Sequence, residues 1–163
     1  MAKAAQPIPK GFHTVTPSLV VAGATKAIDF YKKALGAEEV MRFPGPDGRI
    51  MYAELRIGDS TIMLGDEMPD QGAKGPKSYG GTPVSFFVYN ENVDAAWKRA
   101  VDAGAKPIMP LDNQFWGDRA GCLEDPFGHQ WWLAQHIRDM TPEELNKAAD
   151  AFFSQTTSEQ NEF

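Results

Sequence analysis

The chain repeats one succession of elements, and a duplicated unit leaves few architectures open to it. FYKKALGAEEVM (30–41) lies over AWKRAVDAGAKPIM (96–109) once two positions are inserted before the second glycine. STIML (60–64) lies over HQWWL (129–133). Two amphipathic helices followed by Gly-Ala could match by chance, but duplication is the simpler explanation. In each half, hydrophobic periodicity reads strand, helix, strand, strand, strand. The first half has strands over 14–21, 38–43, 49–57 and 60–64 and a helix over 25–35. The second has strands over 83–89, 106–109, 116–123 and 130–134 and a helix over 93–103. The predicted fold class is α+β, built from two βαβββ modules.

Local signals set the boundaries. A polar lead-in covers 1–11, module one 12–68, a linker loop 69–82 and module two 83–138. Pro17 has no N–H to donate, so the first strand is expected at an edge or a bulge. Thr25 is the expected N-cap of the first helix, and Gly36 ends it. The stretch 66–81 bears glycines and prolines and has no period, which predicts a long connection. Asp125-Pro126-Phe127-Gly128 is a turn: proline presets φ at its second position and glycine supplies the positive-φ corner. Thr141, Pro142 and Glu144 form a capping box that starts a C-terminal helix over 139–154. The tail 155–163 is expected to fray.

Composition narrows the partners. Net charge is −6 and Lys and Arg form no block, which argues against nucleic acid. Ten Phe, four Tyr and four Trp supply a packed interior for 163 residues. No apolar run is long enough to span a membrane, and the N-terminus has no apolar signal core. The single cysteine, Cys122, excludes an internal disulfide and fits a reducing compartment. A cytoplasmic location is expected. Cys122 reads as a small buried apolar residue, with nothing nearby in sequence to lower its pKa.

Two βαβββ modules, AIDFYKKALGAEEV, ELRIGDSTIML and the WGDR…DPFGH…W run together resemble the vicinal oxygen chelate superfamily. That group holds glyoxalases, bleomycin-resistance proteins and extradiol dioxygenases. The likeness is greatest to its PhnB-like bacterial branch and covers roughly residues 12–145. The resemblance implies curved sheets around a cup (the glyoxalase/bleomycin-resistance fold), with the ligand inside and the helices outside. It also implies paired modules, often in a homodimer.

Metal-using members take ligands from the first and last strand of each module. Carried onto this sequence, those places are Thr16, Met63, Pro83 and Trp132. None is a His, Asp, Glu or Cys, the donors that transition metals require. No metal or other cofactor is therefore expected. His13, His129 and His136 form no HxH or HExxH spacing. His129 is the best placed of the three to touch a ligand, and its ring could instead bond a backbone carbonyl. His136 is expected to anchor the C-terminal helix.

Alternation predicts the cup lining. Thr16, Ser18, Tyr52, Glu54, Arg56 and Met63 face inward from module one. Phe87, Gln130 and Trp132 do so from module two, with Trp116 and Arg119 near the mouth and His129 in the last turn. Related sequences often have a histidine where Tyr52 stands. Glu54 is the candidate acid or base. Burial would raise its pKa, and pairing with Arg56 or Arg119 would favour its ionised form. Such an aromatic, apolar lining with few polar groups suits an unknown small molecule. Three readings follow: a metal-free small-molecule-binding protein, a metal-dependent lyase, isomerase or dioxygenase, and a non-catalytic structural or regulatory dimer.

Overall fold

The computed structural model describes residues 6–160. The rest of the expected lead-in and tail, 1–5 and 161–163, lies outside the described residues. Module one consists of β1 (Ser18–Val21), α1 (Ala24–Leu35), β2 (Glu38–Pro44), β3 (Ile50–Ile57) and β4 (Ser60–Asp66). A connection with one short helix, α2 (Pro76–Tyr79), leads to module two. That module consists of β5 (Ser85–Tyr89), α3 (Val93–Asp102), β6 (Lys106–Asn113), β7 (Asp118–Glu124) and β8 (Gln130–His136). The helix α4 (Pro142–Gln160) follows.

Each module folds into one four-stranded mixed sheet. The orders are β1-β4-β3-β2 and β5-β8-β7-β6, with β1–β4 and β5–β8 parallel and the other pairs antiparallel. The repeat seen in sequence is thus a repeat of topology. It extends to a detail of capping. Asp66, at the end of β4, accepts from the backbone N–H groups of Gly23 and Ala24 at the start of α1, at 2.9 and 2.8 Å. Gln135, one residue before the end of β8, accepts from Val93 N at the start of α3 at 3.2 Å. STIMLGD over HQWWLAQ places these two residues at the same position.

The structure moves several boundaries. β1 begins at Ser18 rather than at residue 14, because the Thr16 hydroxyl turns back to the His13 carbonyl at 3.0 Å. The N-cap of α1 is Gly23, not Thr25; the carboxylate of Asp66 does what a capping side chain would. β6 continues to Asn113 through Pro107 and Pro110, which an edge strand with two register shifts tolerates. Trp116 and Gly117 precede β7, which begins at Asp118. The connection before β5 holds a short 3-10 turn, Pro69–Gln71, as well as α2. The capping box forms as expected: Thr141 Oγ1 accepts from Glu144 N at 3.2 Å, and Glu144 Oε2 accepts from Thr141 N at 2.8 Å. α4 runs past residue 154 to Gln160.

The two modules share one core and meet chiefly through α1 against α3. Ile28, Tyr31 and Leu35 of α1 are buried with Ala53, Leu55, Ile62 and Leu64 of the first sheet and with Leu123, Trp131 and Leu133 of the second. The two sheets do not close into a barrel. β1 and β5 come alongside each other without pairing, and His129 Nε2 reaches across to the Val20 carbonyl at 3.1 Å.

A buried carboxylate ties this seam. Asp125, 3% exposed in the DPFG turn, accepts from Tyr31 Oη of α1 at 2.7 Å and from Trp131 Nε1 at 2.9 Å. Its other oxygen accepts from the backbone N–H groups of Phe127 and His129 at 2.8 and 3.0 Å. The turn itself has the expected geometry, with Gly128 at φ +92°. Burial, and after it the Asp125 charge, holds the Tyr31 phenol well above its ordinary range.

Candidate functional site

Ala53, Leu55, Ile62 and Leu64 lie in the core beneath α1, so the intervening residues face the opposite way. The pairing register puts Met41, Glu54, Met63 and Ser18 in one row across β2, β3, β4 and β1. Phe43 pairs with Tyr52 in the next row, and Glu38, Arg56 and Thr61 form the row on the other side. In module two, Phe86, Val88, Trp131 and Leu133 pack on the core. The outward row is Met109, Cys122, Trp132 and Phe87, flanked by Glu124, Gln130 and Ser85 and by Ala120, Ala134 and Tyr89. Each module therefore presents one sheet face lined by rings and sulfur atoms. Phe87 and Trp132 stack with centroids 5.4 Å apart and planes 11° from parallel.

These faces are open in the single chain. Phe43 is 55% exposed, Phe87 46% and Tyr89 62%. A cleft of about 570 Å³ lies at the seam, between β5 and the residues leading into β1 and β4. Phe87, Tyr89, Pro17, Thr61 and Ser85 line it; Tyr52, Glu54, Met63 and Trp132 do not.

The expected site residues separate into four groups. Tyr52, Glu54, Arg56, Met63 and Ser18 share the outward face of the first sheet. Phe87, Gln130 and Trp132 share that of the second. Trp116 reaches the end of the second face through Asp118, whose Oδ2 accepts from Trp116 Nε1 at 3.1 Å and from Tyr89 Oη at 3.0 Å. Three residues lie elsewhere. Arg119 pairs across the sheet with Gln135 and its guanidinium grips Asp94 of α3 on the helix side, at 2.7 Å. His129 is buried and directed at the seam. Thr16 sits before β1 with its hydroxyl turned to His13.

Glu54 is held by Tyr52, two residues before it on the same face of β3. Tyr52 Oη donates to Glu54 Oε1 at 2.7 Å. Partial burial and this bond push the Tyr52 phenol up to about 12. Neither arginine considered as its partner pairs with Glu54: Arg56 bonds Glu38, and Arg119 bonds Asp94. Asp118 and Arg119, neighbours in sequence, bond different partners. Asp118, buried, bonds His136 Nδ1 at 2.7 Å, and His136 Nε2 meets Asp139 at 3.0 Å. Hydrogen bonds to Asp118 first and Asp139 second raise the His136 pKa. Burial raises the Cys122 thiol.

The four places onto which the resemblance carries the superfamily's metal ligands, Thr16, Met63, Pro83 and Trp132, offer a hydroxyl, a thioether, a proline ring and an indole. This donor set does not fit a divalent transition metal. Among the described residues, no group of three or more His, Cys, Asp or Glu is close enough together to hold a metal ion.

Paired βαβββ modules, each a four-stranded mixed sheet with its helix, recur among solved structures. The family model described as Glyoxalase/Bleomycin resistance protein/Dioxygenase superfamily matches residues 11–133, and the chain belongs to that superfamily. It is 47% identical over 137 residues to an uncharacterized protein of Mycobacterium bovis, covering 82% of this chain and 90% of that one. Among solved structures it is similar to an Arabidopsis thaliana gene product, at 27% identity and TM-score 0.61, covering 76% of this chain and 98% of that one. TnmS3 of Streptomyces sp. CB03234, described as an antibiotic binding protein, shares the fold at 22% identity and TM-score 0.56, covering 83% of this chain and 99% of that one. A Bacillus cereus structure described as a PhnB protein shares the fold at 18% identity and TM-score 0.59, covering 76% of this chain and 99% of that one.

Proposed function

We propose that this protein binds an aromatic or amphipathic small molecule, without a metal, in a cup made by two copies of the chain. The carrying observation is the pair of outward sheet faces lined by rings and sulfur, with Phe87 stacked on Trp132. Water does not favour this much apolar surface on one side of two sheets. Each chain bears two half-cups of the same topology. A two-fold pairing of module one on module two of the partner would close two cups at once. Stacking on Trp132 and Phe87 supplies the ligand's binding energy, and the polar groups of the first face set its orientation. That a fold relative is described as antibiotic-binding is consistent with this reading. The buried free thiol of Cys122 suits a cytosolic setting.

The test is a thermal-shift screen of aromatic small molecules on protein purified without metal-affinity steps, with and without chelator. The expected result is stabilisation by some compounds that chelator leaves unchanged. Stabilisation that appears only after a divalent metal is added, or a stoichiometric transition metal in elemental analysis, would overturn the reading.

A further inference from the structure

Resting on that reading of the cup, we propose that its ligands carry a positive charge: an organic ammonium or guanidinium group attached to an aromatic or apolar body. Glu54 and Tyr52 would receive the charge. The Glu54 carboxylate sits in the central row of the first face with a methionine on each side, Met41 on β2 and Met63 on β4. Among the described residues its side chain has one hydrogen bond, from Tyr52 Oη at 2.7 Å. That bond fixes one oxygen, and no hydrogen bond to the other is seen among the described residues.

No internal cation neutralises it. Glu54 has no ion-pair partner among the described residues. Arg56, the arginine that shares its face of the first sheet, is committed to Glu38. A half-buried carboxylate between thioethers gains most from a cation that brings its own apolar surface, because the desolvated pair is then shielded from water. Rings stand ready for the rest of such a ligand. Phe43 and Tyr52 lie 6.4 Å apart by centroid, tilted by 33°, on the same face. Electron-rich ring faces beside a carboxylate are the surroundings in which organic cations are held. The net charge of −6 adds long-range attraction of the same sign. An anionic ligand would meet Glu54 with no arginine free to offset it.

Three probes that differ in one group test this on the full-length protein: 2-naphthylmethylammonium, neutral 2-naphthalenemethanol and 2-naphthoate. Binding is read by calorimetry and by quenching of tryptophan fluorescence. The ammonium is expected to bind roughly tenfold tighter than the alcohol, and the carboxylate weakest. Glu54→Gln should lower the ammonium's affinity about tenfold and change the alcohol's by much less. Tyr52→Phe, which frees the carboxylate from its tether, should reduce the preference for the ammonium without abolishing it. Raising salt to about 0.5 M should weaken the ammonium alone. Equal or tighter binding of the carboxylate, or an ammonium preference that survives Glu54→Gln, would overturn the proposal. Binding of the alcohol in either case would leave the aromatic cup standing. If none of the three binds, the cup reading falls and this proposal falls with it.

Discussion

Asp125 shows how much one side chain can hold. Four donors converge on it, and two of them, Tyr31 and Trp131, are side chains deep in the core. Asp125→Ala leaves all four in an apolar interior, at a cost of about 3–5 kcal/mol, measurable by urea unfolding. Tyr31→Phe removes one bond and keeps the ring, so it should cost only about 1–1.5 kcal/mol. Gly121 is fixed for a different reason. A Cβ there would stand 2.6 Å from the Trp97 ring and 2.8 Å from the Leu111 backbone. α3 can lie close on the sheet only because that atom is missing. The sequence shows Asp125 as a turn residue, and it is one. Its bond to Tyr31 crosses 94 positions, and no local pattern encodes such a distance. The same holds for Arg119. Placed by alternation near a cup mouth, it reaches Asp94 at the start of α3, which depends on how helix and sheet meet.

Among elements, the helices are started by the sheets they cover. Asp66 accepts from Gly23, Ala24 and, through its other oxygen, Ile50. Asp66→Ala should therefore unpin both α1 and β3 and cost about 1–2 kcal/mol. Gln135→Ala, which removes one neutral acceptor at 3.2 Å, should cost less than about 1 kcal/mol. Paired thermal melts of the two variants check the order. Strands, helices and capping box were legible because their signals are local: period two, period 3.6, and Thr141 with Glu144. The start of β1 was not, because Val15 and Thr16 look like strand while Thr16 bonds its own chain. The N-cap was not, because the capping oxygen comes from a residue more than forty positions away.

The joint between β8 and α4 has a pH dependence whose sign is fixed by His136. Its pKa is raised above its ordinary 6.5 by Asp118 and Asp139. A raised pKa in the folded state means the charged form is the one that binds. The contribution is full below about pH 6.5 and is lost as pH rises through the raised value. Protection of the α4 amides, exchange corrected for its intrinsic rise with pH, should accordingly fall toward alkaline pH, and His136→Gln should flatten that fall. An equal loss of protection in the variant would place its cause elsewhere.

For the molecule as a whole, the helices join the modules and the ring-bearing sheet faces are left outward. The family and the two-module architecture were readable from order alone: YKKAL followed by GAEEV, then STIML, then the same again. What the outward faces meet was not, since the sequence carries no mark of a partner for them. If a second copy closes them, light scattering should give twice the chain mass at micromolar concentration. Phe87→Asp, placing a charge in the outward row, should shift the population toward single chains while leaving the core-face residues Phe86 and Trp131 undisturbed. Dimers that survive this change would contradict closure through these faces.

The most direct measurement is a calorimetric titration of 2-naphthalenemethanol, the uncharged probe, into chelator-treated protein and into Trp132→Ala. The predicted result is one site per chain in the parent protein, unchanged on adding back divalent metal, and about tenfold weaker in the variant. Heat of binding that needs the metal, or that is the same with and without the Trp132 ring, would contradict a ring-lined cup as the place where the ligand sits.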